Sequence, residues 1–362
     1  MRILAGAIGG IIVILVLWDV VKTTLLLQGA GPLNRRLSNS IWRGCLAVHH
    51  RLPGHFFLSV AGVCILLASV SLWILLYWIG WSLIFSMSEM AVISAQNEVP
   101  ASFWQRIYYV GFTFITLGIG DFKAGSALWE IITVILSISG FFIVTLVITY
   151  LLPVVSSAVE QRQLAVHIQS MRFAQGTFFS SFQETGVDGL VSNLQPLSEK
   201  ICRLAQQHLA YPVLHFMQSG DPQSALPLAL ASLDENLTLI LSGGRSLPAD
   251  VENLLPLRHS LSFFLWTLSH LKMPLDKEST PESLPLKTLS IIGISPADES
   301  DFKRKLDLLR ERRRLLRGFV YYTGWQWQDV FRQQHYEEDL FAEGGPEFHS
   351  SVDSSETRRQ PQ

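Results

Sequence analysis

Hydrophobic positions are distributed along the chain in two regimes. As far as Val159 they gather into long uncharged runs, and beyond it they recur every three or four positions among polar residues. Phe56 to Ser88 is 33 positions without a charged side chain, and Ile131 to Val159 is 29. About 18 such residues are enough to cross a bilayer, so each run predicts a membrane helix. Trp73, Trp78 and Trp81 supply interfacial aromatics to the first, and Trp129 with Glu130 opens the second. A third run, Ile3 to Trp18, is 16 residues long and is interrupted by Asp19 and Lys22 before Leu25 to Leu27. Residues three apart share a helix face, so this pair is expected to neutralise itself in part near the interface. The assignment is an extra N-terminal membrane helix, with a cleaved leader as the competing one.

Between the two long runs lies WQRIYYVGFTFITLGIGDF, Trp104 to Phe122, too apolar for an external loop. Its first part, 104–115, makes about three helical turns, enough to enter a membrane and too few to cross it. The chain must go in and come back. Non-helical backbone at that depth is tolerated only where protein or a water-filled path satisfies its peptide groups, so Thr116 to Asp121 requires a polar partner for its carbonyls.

Past Val159 the pattern turns amphipathic. Leu190 to Leu209, Pro222 to Leu241 and Val251 to Leu271 show helical spacing, punctuated by Pro212, Gly243-Gly244 and Pro248, and β-type alternation is scarce. The fold class is therefore all-α, a membrane protein with a helical domain attached.

Composition agrees. Of 362 residues 49% are hydrophobic and 16% charged, and the mean hydropathy is +0.30, against about 25% charge in soluble domains. The net charge of −2 provides no basic field for nucleic acid, which is excluded as a partner. Cys45, Cys64 and Cys202 stand apart without metal-ligand spacing. Gln28 to His55 carries Arg35, Arg36, Arg43 and Arg51 and no acid, whereas Glu89 and Glu98 are the only charges in Ser88 to Phe103. By the positive-inside rule the N-terminus is external and everything from Glu160 onward cytoplasmic, in a cell (plasma or inner) membrane.

The hexapeptide Thr116-Leu117-Gly118-Ile119-Gly120-Asp121, after a short helix and between two membrane helices, resembles the T-V-G-Y-G-D selectivity filter of potassium channels. Alternating glycines let the backbone take positive φ, and four such strands can replace the hydration shell of a cation with carbonyl oxygens. One copy per chain implies a homotetramer with K+ as permeant ion and no organic cofactor. The resemblance implies ion binding by Thr116, Leu117, Gly118, Ile119 and Gly120, an outer mouth at Asp121, and a hinge glycine just under 20 residues on. Gly140 lies 140 − 121 = 19 positions further. Val144, Ile148 and Leu152 follow at four-residue intervals and are candidates for the cavity and inner constriction. Pro153 removes one helical hydrogen bond and is expected to bend the inner helix there. The resemblance covers 56–159, or 104 of 362 residues.

Three positions depart from that pattern. Ile119 replaces the usual tyrosine, Phe112 stands where some relatives carry a glutamate paired to the filter aspartate, and Phe122-Lys123 lacks the usual proline. The backbone chemistry survives while its supports weaken, which predicts potassium preference with reduced discrimination against sodium. No apolar helix carries arginine at every third position, so a voltage sensor is not expected.

Residues 160–362 hold 25 acidic and 20 basic residues, a net of −5, without a GxGxxG or phosphate-loop motif or a catalytic constellation. An enzyme is not expected. Eight basic residues, Lys303, Arg304, Lys305, Arg310, Arg312, Arg313, Arg314 and Arg317, can form either a solvated helix face or a contact with anionic lipid head groups over 303–317. His49, His50 and His55 cluster near the membrane surface, where a pH-sensitive charge is favoured over a metal site. The expected division is an N-terminal membrane helix at 1–27, a basic linker at 28–55 and a pore domain at 56–159. Within that domain the outer helix is 56–88, the pore helix 104–115, the filter 116–121 and the inner helix 126–159. An all-α domain at 160–340 and a disordered tail at 341–362 complete it. A potassium channel leads, with a weakly selective cation channel and a membrane-anchored sensor or scaffold with a vestigial pore as alternatives.

Overall fold

The computed structural model describes residues 1–26, 29–49, 51, 54–171, 178–270 and 281–331. His50 and the tail at 341–362 lie outside them. Three helices are long and apolar enough to cross a membrane: α1 (Arg2–Thr24), α3 (Phe56–Phe85) and α5 (Ala127–Ser170). The protein is an all-α membrane protein. The short exception is a two-stranded antiparallel sheet, β1 (Val92–Ser94) with β2 (Phe122–Ala124), in which Ile93 pairs with Lys123.

Helix α1 runs antiparallel to α3, with Arg2 bonded to Glu89 at one end (2.6 Å) and Asp19 bonded to Trp73 further along. The expected Asp19–Lys22 neutralisation is not what the structure uses. Asp19 is fully buried, and its carboxylate accepts the N–H groups of Leu33 (2.8 Å) and Asn34 (3.3 Å) and the Trp73 indole (2.8 Å). It thereby caps α2 (Pro32–His49), a helix where the sequence predicts a linker. Helix α2 turns Asn34, Ser38 and Trp42 inward and its arginines outward. Two of its three buried residues are polar, and Leu33, Leu37, Ile41 and Cys45 recur beside them every four residues as a half-buried apolar stripe.

At 1.5 Å per residue α3 is about 45 Å long and α5 about 66 Å, against a hydrocarbon core of about 30 Å. Both helices outrun the bilayer at one end, where they meet the helical domain. The expected end of the inner helix at 159 therefore falls inside α5, which continues through Glu160 because Gln161, Leu164, Ala165 and Ile168 present a buried stripe to that domain. Nor does Pro153 interrupt it: α5 is one helix from Ala127 to Ser170.

The domain contains α6 (Gly186–Leu194), α7 (Leu197–Ala210), α8 (Leu226–Gly243), α9 (Leu255–His270), α10 (Glu299–Leu308) and α11 (Arg310–Tyr322). Helix α8 is buried nearly throughout and forms the domain's axis. It carries Asp234 and Glu235 into the core, where Asp234 pairs with Arg258 (2.8 Å) and Arg312, and Glu235 accepts two bonds from Arg313 (2.8 and 2.9 Å). Charges placed so deep must be paired. Two of the eight basic residues proposed for lipid contact, Arg312 and Arg313, are thus turned into the domain, while Arg304, Arg310 and Arg314 lie outside in local pairs with Asp301, Asp307 and Glu311. The aromatic stretch after them packs as expected, with Phe319, Trp325 and Trp327 in the core.

Pore and domain share a third cluster, in which Trp42, Leu58, Ile65, Tyr150 and Val154 meet Val213, Leu214 and Phe216. Gln161 donates to the Met217 carbonyl (3.0 Å) beside it.

Candidate ion-conduction site

The re-entrant segment starts with α4 (Phe103–Phe114), whose Ser102 and Gln105 form a reciprocal capping box. Its far end is closed by two bonds, Thr116 N–H to the Thr113 carbonyl (3.1 Å) and Leu117 N–H to the Phe112 carbonyl (2.8 Å). This is a Schellman ending, which requires a left-handed residue at the position Thr116 occupies, usually glycine. Thr116 takes φ +57 nonetheless. A β-branched residue there costs about 1–2 kcal/mol, so something other than backbone preference keeps threonine in place.

From Thr116 the sign of φ alternates. Thr116, Gly118 and Gly120 have φ of +57, +60 and +86, and Leu117 and Ile119 between them are negative. Alternating hands rotate successive peptide planes so that their carbonyls can share one side, a ladder of oxygens suited to a dehydrated cation. Leu117 and Ile119 are 61% and 48% exposed, so among the described residues none covers this strand.

The strand is anchored at both ends. Beyond it the Asp121 carbonyl accepts the Ala95 N–H (3.0 Å), and the β1–β2 pairing ties the exit to the loop after α3. Lys123 bonds Glu98 (3.0 Å) across the same loop. Asp121 itself is exposed. Behind the strand lies a recess of about 500 Å³, lined by Tyr109, Thr113, Thr116, Gly118, Thr133 and Ser137 among others.

Hydroxyl groups not singled out in the sequence tie α5 to the pore helix and to α3. Tyr109 bonds Thr133 (3.0 Å), Ser137 donates to the Thr113 carbonyl (3.3 Å), and Tyr77 of α3 donates to Ser139. The signal was available in Thr133 and Ser137, four apart on one face of α5. Phe112 is buried against Tyr108 and Tyr109 with edge-on ring contacts of 5.2 and 5.3 Å, an apolar seat at the expected glutamate position. Among the described residues no side-chain hydrogen bond reaches 117–120, so Ile119 leaves the strand without lateral support from its own chain.

Gly140 is buried under the end of α4. A Cβ there would stand 2.6 Å from both the Phe114 carbonyl oxygen and its ring. Of the other expected positions on α5, Val144 is half-buried, whereas Ile148 and Leu152 are 54% and 70% exposed. The four-residue series thus winds from the pore-helix contact onto an open face. Thr145 and Thr149 share that open face and return their hydroxyls to the carbonyls four residues back (2.8 Å each).

Near the domain junction, His49 lies 3.0 Å from the Gly54 carbonyl and 3.3 Å from that of Gly324, and His55 stacks on Trp325 at 3.8 Å. Burial, and His49 beside it, lower the His55 pKa. Among the described residues no group of three His, Cys, Asp or Glu is placed to hold a metal.

These features define an ion channel of the two-helix pore type. A family profile described as "Ion channel" matches residues 72–157, from the middle of α3 through α4 and the alternating strand to α5. The chain is also 31% identical over 319 residues to the uncharacterized membrane protein YdjJ of Bacillus subtilis (strain 168), an alignment spanning 85% of this chain and 91% of that one, and it belongs to the same family. No solved structure matches it.

Proposed function

We propose that four copies of the chain surround a common axis and conduct K+ passively between carbonyl oxygens of 116–120. The observation that carries this reading is the alternation of φ across Thr116–Gly120, placed by a pore helix whose ending is strained to accommodate threonine. In such a pore Thr116 is the innermost ligand, where its hydroxyl joins the carbonyls, and this offsets the backbone cost. Asp121 draws cations to the outer mouth. Ile148 and Leu152 line the inner constriction with Val144 above them, and bending of α5 near Pro153 sets the aperture. The helical domain faces the cytoplasm, since the acid-free arginine segment lies on its side of the membrane.

Purified protein in liposomes tests this through rubidium or thallium flux and reversal potentials in opposed potassium and sodium gradients. Potassium-selective flux through a fourfold assembly is the expected result. Impermeable liposomes, or an assembly without fourfold symmetry, would overturn it. A weakly selective cation pore is favoured instead by one observation, the unsupported strand at Ile119. On that reading Ile119→Tyr raises the potassium to sodium permeability ratio, and an unchanged reversal potential refutes it.

A further inference from the structure

The chain contains no acidic residue between Asp19 and Glu89, while Lys22, Arg35, Arg36, Arg43 and Arg51 all fall in that interval. The one carboxylate bordering it at the N-terminal side, Asp19, is buried and occupied by Leu33, Asn34 and Trp73. Three of the cations, Lys22, Arg35 and Arg36, flank the connection between α1 and α2. The Thr23 hydroxyl accepts the N–H of Gly31 (2.9 Å), which brings Lys22 beside the start of α2, where Arg35 and Arg36 are exposed in the first turns. Among the described residues none of the three makes an ion pair.

A boundary drawn one hydrocarbon thickness from the far end of α3 falls near the same level. Twenty residues counted back from Phe85 reach Leu66, about one hydrocarbon thickness. Asn34, next to Arg35, accepts a bond from Ser69 (2.6 Å), 69 − 66 = 3 residues or about 4.5 Å from that boundary. Two positive side chains in the first turns of a helix are electrostatically disfavoured by its dipole, so their placement is not a requirement of α2. Arg43 lies further along α2, next to Trp42, whose ring meets Tyr322 of the helical domain at 5.6 Å, and so falls outside this group.

We propose that Lys22, Arg35 and Arg36 form a binding site for the phosphate of an anionic phospholipid in the leaflet on the helical-domain side, fixed there by the cap that Asp19 places on α2. Charge complementarity identifies the occupant: three unpaired cations at the depth of the head groups, in a segment empty of competing carboxylates. The basic stretch 303–317 is a poorer candidate, since Arg304, Arg310 and Arg314 are each paired with a neighbouring carboxylate.

Native mass spectrometry of the full-length protein, titrated with phosphatidylglycerol and separately with phosphatidylcholine, tests the site. Preferential retention of phosphatidylglycerol that weakens with salt is expected. The triple variant Lys22→Gln/Arg35→Gln/Arg36→Gln is expected to bind it on the order of a hundredfold more weakly, about fivefold per charge. Arg35→Lys/Arg36→Lys retains binding, which separates charge from misfolding. Arg304→Gln/Arg310→Gln/Arg314→Gln binds as the parent does. Equal retention by parent and Lys22/Arg35/Arg36 variant, or loss only in the 304/310/314 variant, would overturn the proposal. Because the readout is bound lipid, it is independent of ion selectivity.

Discussion

Gly140 separates two accounts of the inner helix. The resemblance to potassium channels makes it a hinge, whereas its surroundings make it a close-packing site. Replacing it with alanine puts a methyl 2.6 Å from the Phe114 carbonyl oxygen, 3.4 − 2.6 = 0.8 Å inside ordinary contact. A backbone carbonyl cannot swing aside as a flexible side chain can, so α5 must move outward from the end of α4. Overpacking of this kind costs about 1–3 kcal/mol, and the better helix propensity of alanine returns about 1 kcal/mol. The net expectation is destabilisation of about 1 kcal/mol, concentrated where the pore helix hands over to Thr116. Thermal unfolding of the full-length protein followed by tryptophan fluorescence, together with reversal potentials from the same preparation, measures both consequences. A lower unfolding temperature with degraded selectivity is expected. Phe114→Ala does not rescue the variant, because the carbonyl remains. Gly140→Ala with parental unfolding and parental selectivity, altered only in the fraction of time open, would refute the packing argument in favour of the hinge.

Three further outcomes follow from buried polar groups. Asp19→Ala strands the N–H groups of Leu33 and Asn34 and the Trp73 indole, at a cost of about 3 kcal/mol or more, while Asp19→Asn keeps one acceptor and loses less, as thermal unfolding will report. Arg313→Met leaves Glu235 charged and unpaired, destabilising by about 3–5 kcal/mol, and Arg313→Met/Glu235→Leu recovers most of it; equal stability of the single and double variants would contradict this. His208 and His215 share a buried Nδ1 to Nδ1 contact of 2.8 Å, and burial lowers His215 to about 3 and His208 well below its ordinary value. The unfolded chain therefore takes up protons from about pH 6.5 downward while the folded one does not, so stability falls as pH drops from about 6.5 toward 3 and is fully present above it. His208→Gln/His215→Gln flattens that slope in unfolding curves recorded against pH.

The membrane runs and the segment between them are legible in the sequence for a common reason. Lipid penalises any charge or unsatisfied peptide, so α3, α5 and the re-entrant turn leave signatures in consecutive residues. Boundaries fare worse where the solvent changes. The inner helix loses its uncharged character at Glu160 but not its helical stripe, because Leu164, Ala165 and Ile168 face protein instead of lipid. Helix α2 is less legible for a different reason: its apolar stripe of Leu33, Leu37, Ile41 and Cys45 lies among Arg35, Arg36 and Arg43, which read as a basic linker, and its inward face also carries Asn34 and Ser38, which hydrogen-bond within the bundle.

What the sequence could not expose is pairing between distant residues, and the placing of the 116–121 strand depends on it. Tyr77 and Tyr109 look like ordinary interfacial aromatics until Ser139 and Thr133 are placed opposite them, and Asp19 looks like a tolerated charge until Leu33 and Asn34 fold back onto it. Two of the three hydroxyl ties act on the pore helix, the third joins α3 to α5, and all stop short of Leu117–Gly120, while the strand's own anchors are backbone bonds at Thr116, Leu117 and Asp121. A strand held at its ends and free along its middle can keep its carbonyl register only if neighbouring copies press against Leu117 and Ile119, the two exposed side chains between the positive-φ positions. On the proposed tetrameric reading selectivity belongs to the assembly, so Leu117→Ala and Ile119→Ala are expected to weaken tetramer and selectivity together. Loss of selectivity in an assembly of unchanged stability would show that the single chain holds its own register.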